Sequence, residues 1–294
     1  MRGLRLNVPL APQGLPAPTD FPSLITLTFT CVIFAHRTTP EYWDEVTTLL
    51  GNLVHLTTLQ IRYWNRAVSF MPSLSPSLRK LDLDTHLVPG GARLRDDHIH
   101  QLAEICPNLQ HLTLEVRRSR GDAAEVERYR SLGRLSRLQE LHIYLDASPP
   151  GYLHPTPDRT TTRSRDTAIE PWFDEQDTMY LPEPIEAFRE GHVRDVFINS
   201  AIDASLALSI FEVIDAAKPR SAPGRAAPLP LERLELCARG GEEFADRPMM
   251  GACYTPLNQF LAALKREWRI QRDVRDDSRG VLHVEEAAVK FLWP

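Results

Sequence analysis

One short pattern, an apolar residue at the first, fourth and sixth of six positions, limits what this chain can fold into more than any other feature. It occurs seven times, at Leu24-Leu27-Phe29, Leu56-Leu59-Ile61, Leu78-Leu81-Leu83, Leu109-Leu112-Leu114, Leu138-Leu141-Ile143, Val193-Val196-Ile198 and Leu231-Leu234-Leu236. The first positions are 32, 22, 31, 29, 55 and 38 residues apart, a period in the twenties to low thirties with one interval close to double. Apolar residues two apart in an extended segment share one face and leave their neighbours on the other. A strand this short cannot cover its own apolar face, so successive copies must stack.

Helical patterns separate the copies. Trp43, Val46, Leu50 and Leu53 share a helical face behind Thr39-Pro40, a suitable cap and first-turn pair. Ile99, Leu102, Ala103 and Cys106 do the same over Asp97 to Cys106, and further helices are expected over residues 123–132 and 205–217. Thr255-Pro256 opens an amphipathic helix with Leu257, Phe260, Leu261, Leu264 and Trp268, followed by strand-like runs at 269–274 and 281–285. A doubly wound nucleotide-binding sheet also alternates strands and helices, but it calls for a glycine-rich first turn; Gly90-Gly91 and Gly240-Gly241 lack that spacing. The sequence therefore reads as an α/β leucine-rich-repeat solenoid, a horseshoe of irregular repeats with a C-terminal helix-plus-strands cap. Its expected organisation is N-terminal repeats over 1–146, a disordered insertion over 147–187, rich in proline and polar residues, and C-terminal repeats with the cap over 188–294.

Composition narrows the classes of function. A formal net charge of -5 over 294 residues gives no global field for nucleic acid or an anionic membrane, and neither is expected as a partner. The apolar runs are of strand length, far short of the ~20 residues of a membrane span. Asn7, Pro9, Pro12 and Pro16 interrupt what a secretory leader would keep apolar. Cys31, Cys106, Cys237 and Cys253 are dispersed, as expected of reduced thiols, and a cytoplasmic or nuclear location is expected.

The segment from Asp97, DHIHQLAEICPNLQHLTL, joins an amphipathic helix to Cys106-Pro107-Asn108 and then a strand, and it resembles the cysteine-containing leucine-rich repeats of F-box proteins. The C-terminal EWRIQRDVRDDSRGVLHVEE is similar to the ends of fungal F-box and leucine-rich-repeat proteins. The resemblance implies substrate recognition within a cullin-RING ubiquitin ligase, with the ligase adaptor as a partner only if an F-box lies upstream. A stand-alone repeat scaffold and, from another class, a hydrolase without a supporting motif are the alternatives. The family's Asn or Cys ladder is missing: its positions hold Val32, Trp64, His86, Arg117, Asp146, Ala201 and Arg239, so the turn amides need other acceptors.

On a repeat strand the residues between the buried positions would face a concave surface. The expected partner-binding residues are Arg62, Lys80, Asp82, Asp84, His111, Glu115, Glu140, His142, Tyr144, Asp195, Phe197 and Asn199, an acidic and partly aromatic set suited to a basic protein segment. The arginines at 117, 118, 120, 128, 130, 134 and 137 are interleaved with Asp122, Glu125 and Glu127 and read as a salt-bridged surface. His98 and His100 stand two apart on a helix and do not share a face, and Cys106 reads as a packing residue. No catalytic residue, metal site or cofactor is expected.

Overall fold

The computed structural model describes residues 3–8, 24–31, 40–62, 67–84, 94, 96–148, 169–180, 189–219, 227–241, 255–273 and 280–287. In chain order these form β1 (Gly3–Val8), β2 (Thr26–Cys31), α1 (Pro40–Asn52), β3 (Thr58–Arg62), a 3-10 helix (Ala67–Ser73), β4 (Lys80–Asp84), α2 (Asp96–Ile105) and β5 (His111–Arg117). They continue with α3 (Ala123–Gly133), β6 (Glu140–Asp146), α4 (Glu190–Ser200), α5 (Ala204–Ala216), β7 (Arg233–Arg239), α6 (Thr255–Leu264), β8 (Glu267–Arg272) and β9 (Leu282–Ala287). All nine strands belong to one sheet in sequence order, parallel from β1 to β7 and antiparallel from β7 to β9.

The repeated leucines set the register. Leu27, Leu59, Leu81, Leu112, Leu141 and Leu234 are aligned from strand to strand, and each is at most 2% exposed. The leucines three residues earlier, from Leu24 and Leu56 through to Leu231, are buried as well. Backbone bonds lock this alignment. The Ile25 carbonyl accepts from the amides of Thr57 and Thr58, Thr57 from Arg79 and Lys80, Arg79 from Gln110 and His111, Gln110 from Gln139 and Glu140, and Gln139 from Glu232 and Arg233. These paired bonds fix the start of each strand against its neighbour.

α1, the 3-10 helix, α2, α3 and α5 pack in a row against one face of the sheet. Their apolar stripes, including Val46 and Leu50 of α1, Ile99 and Leu102 of α2, Leu132 of α3 and Phe211 and Ile214 of α5, join the strand leucines in one core. α3 and α5 approach so closely that a methyl group on Gly133 would overlap the Ile214 carbonyl.

This is not the horseshoe that the repeats imply. The sheet is open and uncurled, and the chain is a mixed α/β fold built on a single sheet. A horseshoe curls when every strand, ~4.8 Å from the next, is backed by an equally thick helix ~8–10 Å from its neighbour. Here the backing is uneven: a short 3-10 helix between β3 and β4, single helices around β5, and two helices between β6 and β7. The C-terminal helix and two strands form close to where expected, but Trp268 is on β8 and not on the helix, and β8 and β9 extend the same sheet by an antiparallel hairpin.

The segment from Val193 to Ile198, expected as a repeat strand, is part of α4. Its buried residues, Gly191, His192, Asp195, Val196, Asn199 and Ser200, recur at helical spacing. An apolar pair three apart is compatible with either element, and only the polar partners of Asp195 and Asn199 decide for the helix. Within the expected insertion, residues 169–180 form hydrogen-bonded turns beside α4, including Asp174 and Asp177, whose carboxylates each accept from the other's amide. Residues 149–168 and 181–187 lie outside those described.

The tight contact at Gly133 gives a direct check. Gly133→Ala should lower the urea midpoint by an amount equivalent to ~1–3 kcal/mol, because the extra methyl meets backbone. Gly51→Ala, where the new methyl meets only Ser73 at 3.8 Å, should leave stability unchanged or raise it by up to ~1 kcal/mol.

Candidate functional site

Two regions carry the polar residues that packing does not require: the sheet face opposite the helices, and a cleft at the carboxyl ends of β5 and β6.

On the sheet face, neighbouring strands match acids with donors. Gln60 donates to Asp82 at 2.7 Å, and His111 Nδ1 stands 3.0 Å from Glu140. Glu235 is the centre of the largest group, with Arg233 at 2.6 Å, Arg269 at 2.9 Å and His142 at 3.8 Å, and Arg269 also reaches Glu285 at 2.9 Å. Partial burial would raise the Glu235 carboxyl, but the bond from Arg269 and the charges of Arg233 and His142 outweigh it and hold the group below the usual carboxylate range. The Arg239 guanidinium lies 3.0 Å from the centre of the Tyr144 ring, and the His142 ring is 4.3 Å from it.

These facts correct the expected binding surface. Asp82, Glu140, His111, His142 and Tyr144 do share one side of the sheet, but this side is uncurled and offers no concave groove. Lys80 is exposed at the register position beside His111, and Glu115 is aligned with Tyr144. Of the acids, Asp82 accepts from Gln60 and Glu140 faces His111, and without a concave face the expected groove for a basic segment is not assembled. Arg62 and Asp84 occupy aligned positions on β3 and β4, and their side chains lie outside those described. Asp195, Phe197 and Asn199 are on α4: Asp195 and Asn199 are buried against the loop after β5, and Phe197 lines a separate opening with Asp174 and Arg194.

That loop builds the second region. Arg120 and Gly121 take positive φ angles of 58° and 73°, which turn the chain from β5 into α3. The left-handed conformation costs a non-glycine residue ~1 kcal/mol or more. Arg120 is held there by its amide, which donates to Asn199 Oδ1 at 2.9 Å, and by an ion pair with Asp195. Asp195 also accepts from the Trp172 indole at 3.1 Å, and the Arg120 guanidinium stands 5.3 Å from that ring.

Behind the turn, Glu125 is wholly buried. Its carboxylate pairs with Arg118 and accepts from the Ser119 amide at 2.6 Å, the Gly121 amide at 3.0 Å and the Tyr129 hydroxyl at 2.7 Å. The positive end of α3 is therefore filled by the chain's own anion, with Asp122 capping the Glu125 amide at 2.8 Å. Burial, and then the adjacent Glu125 charge, hold the Tyr129 phenol above its ordinary value. The spacing Asp122-x-x-Glu125 is the capping signature that could have marked this centre in the sequence, where both residues read as part of a salt-bridged surface.

Between the turn, the end of β6 and residues 170–172 lies a cleft of about 200 Å³ lined by Arg117, Arg128, Ser148, Glu170 and Trp172 among others. Its outer pair is loose: Arg117 and Glu170 are 4.0 Å apart, with side chains 36% and 22% exposed. Arg128 stands 3.5 Å from Asp96. Arg130 and Arg134 share Glu127, so six of the seven arginines of this group stand beside an acid, which interrupts any basic stripe for a phosphate backbone. Among the described residues no group of three or more His, Cys, Asp or Glu side chains is arranged to hold a metal ion. No single helix among them is long and apolar enough to cross a membrane.

Cys106 is far from this chemistry. It is 1% exposed, and burial pushes its thiol up to about 12. Iodoacetamide at pH 8 should leave the Cys106 peptide unmodified in the native protein and alkylate it in 6 M guanidinium, read by mass spectrometry; native-state alkylation would contradict the packing role. The buried carboxylate permits a second check. Glu125→Ala should cost ~3–5 kcal/mol of unfolding free energy, because it strands Arg118 inside the protein, whereas Glu127→Ala on the exposed side of α3 should cost under ~1 kcal/mol.

No protein-family model matches the chain, and no curated protein is significantly similar to it. The resemblance to fungal F-box and leucine-rich-repeat proteins is thereby corrected, together with the substrate-recognition role it implied: the uncurled sheet removes the architecture on which both rested.

Proposed function

We propose that this protein binds a small polar ligand in the cleft at the carboxyl ends of β5 and β6 and holds it without chemical conversion. The observation that carries the reading is the cleft itself, built from four stretches of chain: 117–128, 147–148, 170–172 and 195–199. It lies where the loops after β5 and β6 meet α4 and the backbone turns away at Arg120 and Gly121. A volume of about 200 Å³ lies below the ~300–1,000 Å³ of sites for drug-sized molecules, which restricts the ligand to a small metabolite.

Two further observations support it. The walls are fixed before any ligand arrives, since Arg120, Trp172 and Asp195 are tied to one another and α4 is bonded to the turn through Asn199. Preorganisation of this kind reduces the entropic cost of binding. For the absence of turnover, the support is the lining chemistry: the described residues around the cleft are arginines, carboxylates, an amide, serines, alanines and an indole, with no histidine, cysteine or lysine beside a serine to activate it.

A thermal-shift screen with small neutral, anionic, cationic and zwitterionic metabolites tests this reading. At least one should raise the melting temperature by several degrees at saturation, and Ala124→Trp, which places a large side chain at the exposed mouth on α3, should remove that shift while leaving the unliganded melting temperature in place. A screen in which nothing stabilises the protein, or stabilisation that survives Ala124→Trp, contradicts the proposal.

A further inference from the structure

Resting on the ligand-binding reading of this cleft, we infer that its ligand is a zwitterion of the α-amino acid type, with Arg117 receiving the carboxylate and Glu170 the ammonium group. The ion pairs around the cleft are not equivalent. Arg118 is closed onto the buried Glu125, and Asp195 onto Arg120 and Trp172. Arg128 is drawn toward Asp96, 3.5 Å away and outside the lining, whereas Arg117 and Glu170 both line the cleft and are the more loosely coupled, 4.0 Å apart at the limit of direct pairing and both partly exposed.

Such a pair selects against ligands of a single charge. An anion that reaches Arg117 also meets the negative Glu170 within a few ångströms, and a cation that reaches Glu170 meets Arg117; each gains one contact and suffers one repulsion. An α-amino acid carries both charges on one carbon, so it exchanges one weak, partly solvated pair for two charge-assisted ones. The guanidinium fork suits a carboxylate, and the carboxylate of Glu170 suits an ammonium donor. The cleft's volume of about 200 Å³ is of the size of one such molecule, with the Trp172 indole as the apolar part of the wall.

Isothermal titration calorimetry of the full chain at low ionic strength separates the possibilities. The probes are alanine, valine and leucine, each beside the amine that lacks its carboxylate and the carboxylic acid that lacks its amino group. At least one amino acid should bind tenfold or more tighter than both of its truncated analogues. Glu170→Gln should weaken the amino acid tenfold or more while improving the acid, Arg117→Gln should do the reverse for the amine, and the exchange Arg117→Glu with Glu170→Arg should recover part of the amino-acid affinity. Equal binding of an amino acid and its parent acid, or amino-acid affinity unchanged in Glu170→Gln, overturns the zwitterion assignment and leaves a ligand-binding cleft standing. Failure of these probes and of every compound in the wider screen overturns both.

Discussion

The structure depends on one recurring backbone contact: a carbonyl just before or at the start of one strand accepts two successive amides from the start of the next. From Ile25 through Thr57, Arg79, Gln110 and Gln139 to Arg233, the contact is made at every parallel step from β2 to β7. Because a slip of one residue would turn every buried side chain outward, fixing the start of each strand fixes which residues form the core. The aligned leucines follow from it, and so does the common level at which β5, β6 and β7 end. At that level the loops after β5 and β6 meet α4, and the cleft forms.

The same register explains the electrostatics. Strands held in step bring Gln60 beside Asp82 and His111 beside Glu140, so these acids have hydrogen-bonding neighbours, and they place Arg269 against Glu235, whose charge it offsets. At the carboxyl edge the matching is less complete. There the chain spends its strongest interactions on Glu125, which satisfies the amides of the Arg120-Gly121 turn from inside. The outer Arg117 and Glu170 are left only loosely coupled. A buried charge centre that rigidifies a turn, next to an exposed pair that can exchange partners, is an arrangement suited to binding.

Much of the secondary structure was legible because short strands with aligned leucines carry a strong local signal, and because Pro40 and Thr255-Pro256 mark helix starts. α4 was not, since Val193 and Val196 fit either period, and its identity rests on Asp195 and Asn199 meeting Arg120 some seventy-five residues away. Curl was misjudged for a different reason. Repeat spacing reports that strands stack, but the bend of the stack depends on the thickness of each connection, which varies here from a 3-10 helix to a helix pair. Of the expected site residues, those from Arg62 to Tyr144 lie on strands of one sheet, while the cross-strand neighbours of Asp82 and Glu140 depend on a register that the sequence does not state. The cleft was invisible in sequence, because Arg117, Ser148, Glu170 and Asp195 come together only through tertiary packing.

The central claim is that the parallel strands form one register-locked sheet in a single α/β domain, not an array of independently stable repeats. Native-state hydrogen exchange measures this most directly, at the amides of Thr58, Lys80, His111, Glu140 and Arg233, which all donate into the recurring carbonyl contact. In a single cooperative sheet these amides exchange through the same global opening, with one common free energy and one common denaturant dependence. A graded series of opening free energies, falling stepwise toward one end as in a quasi-one-dimensional repeat array, would contradict the account.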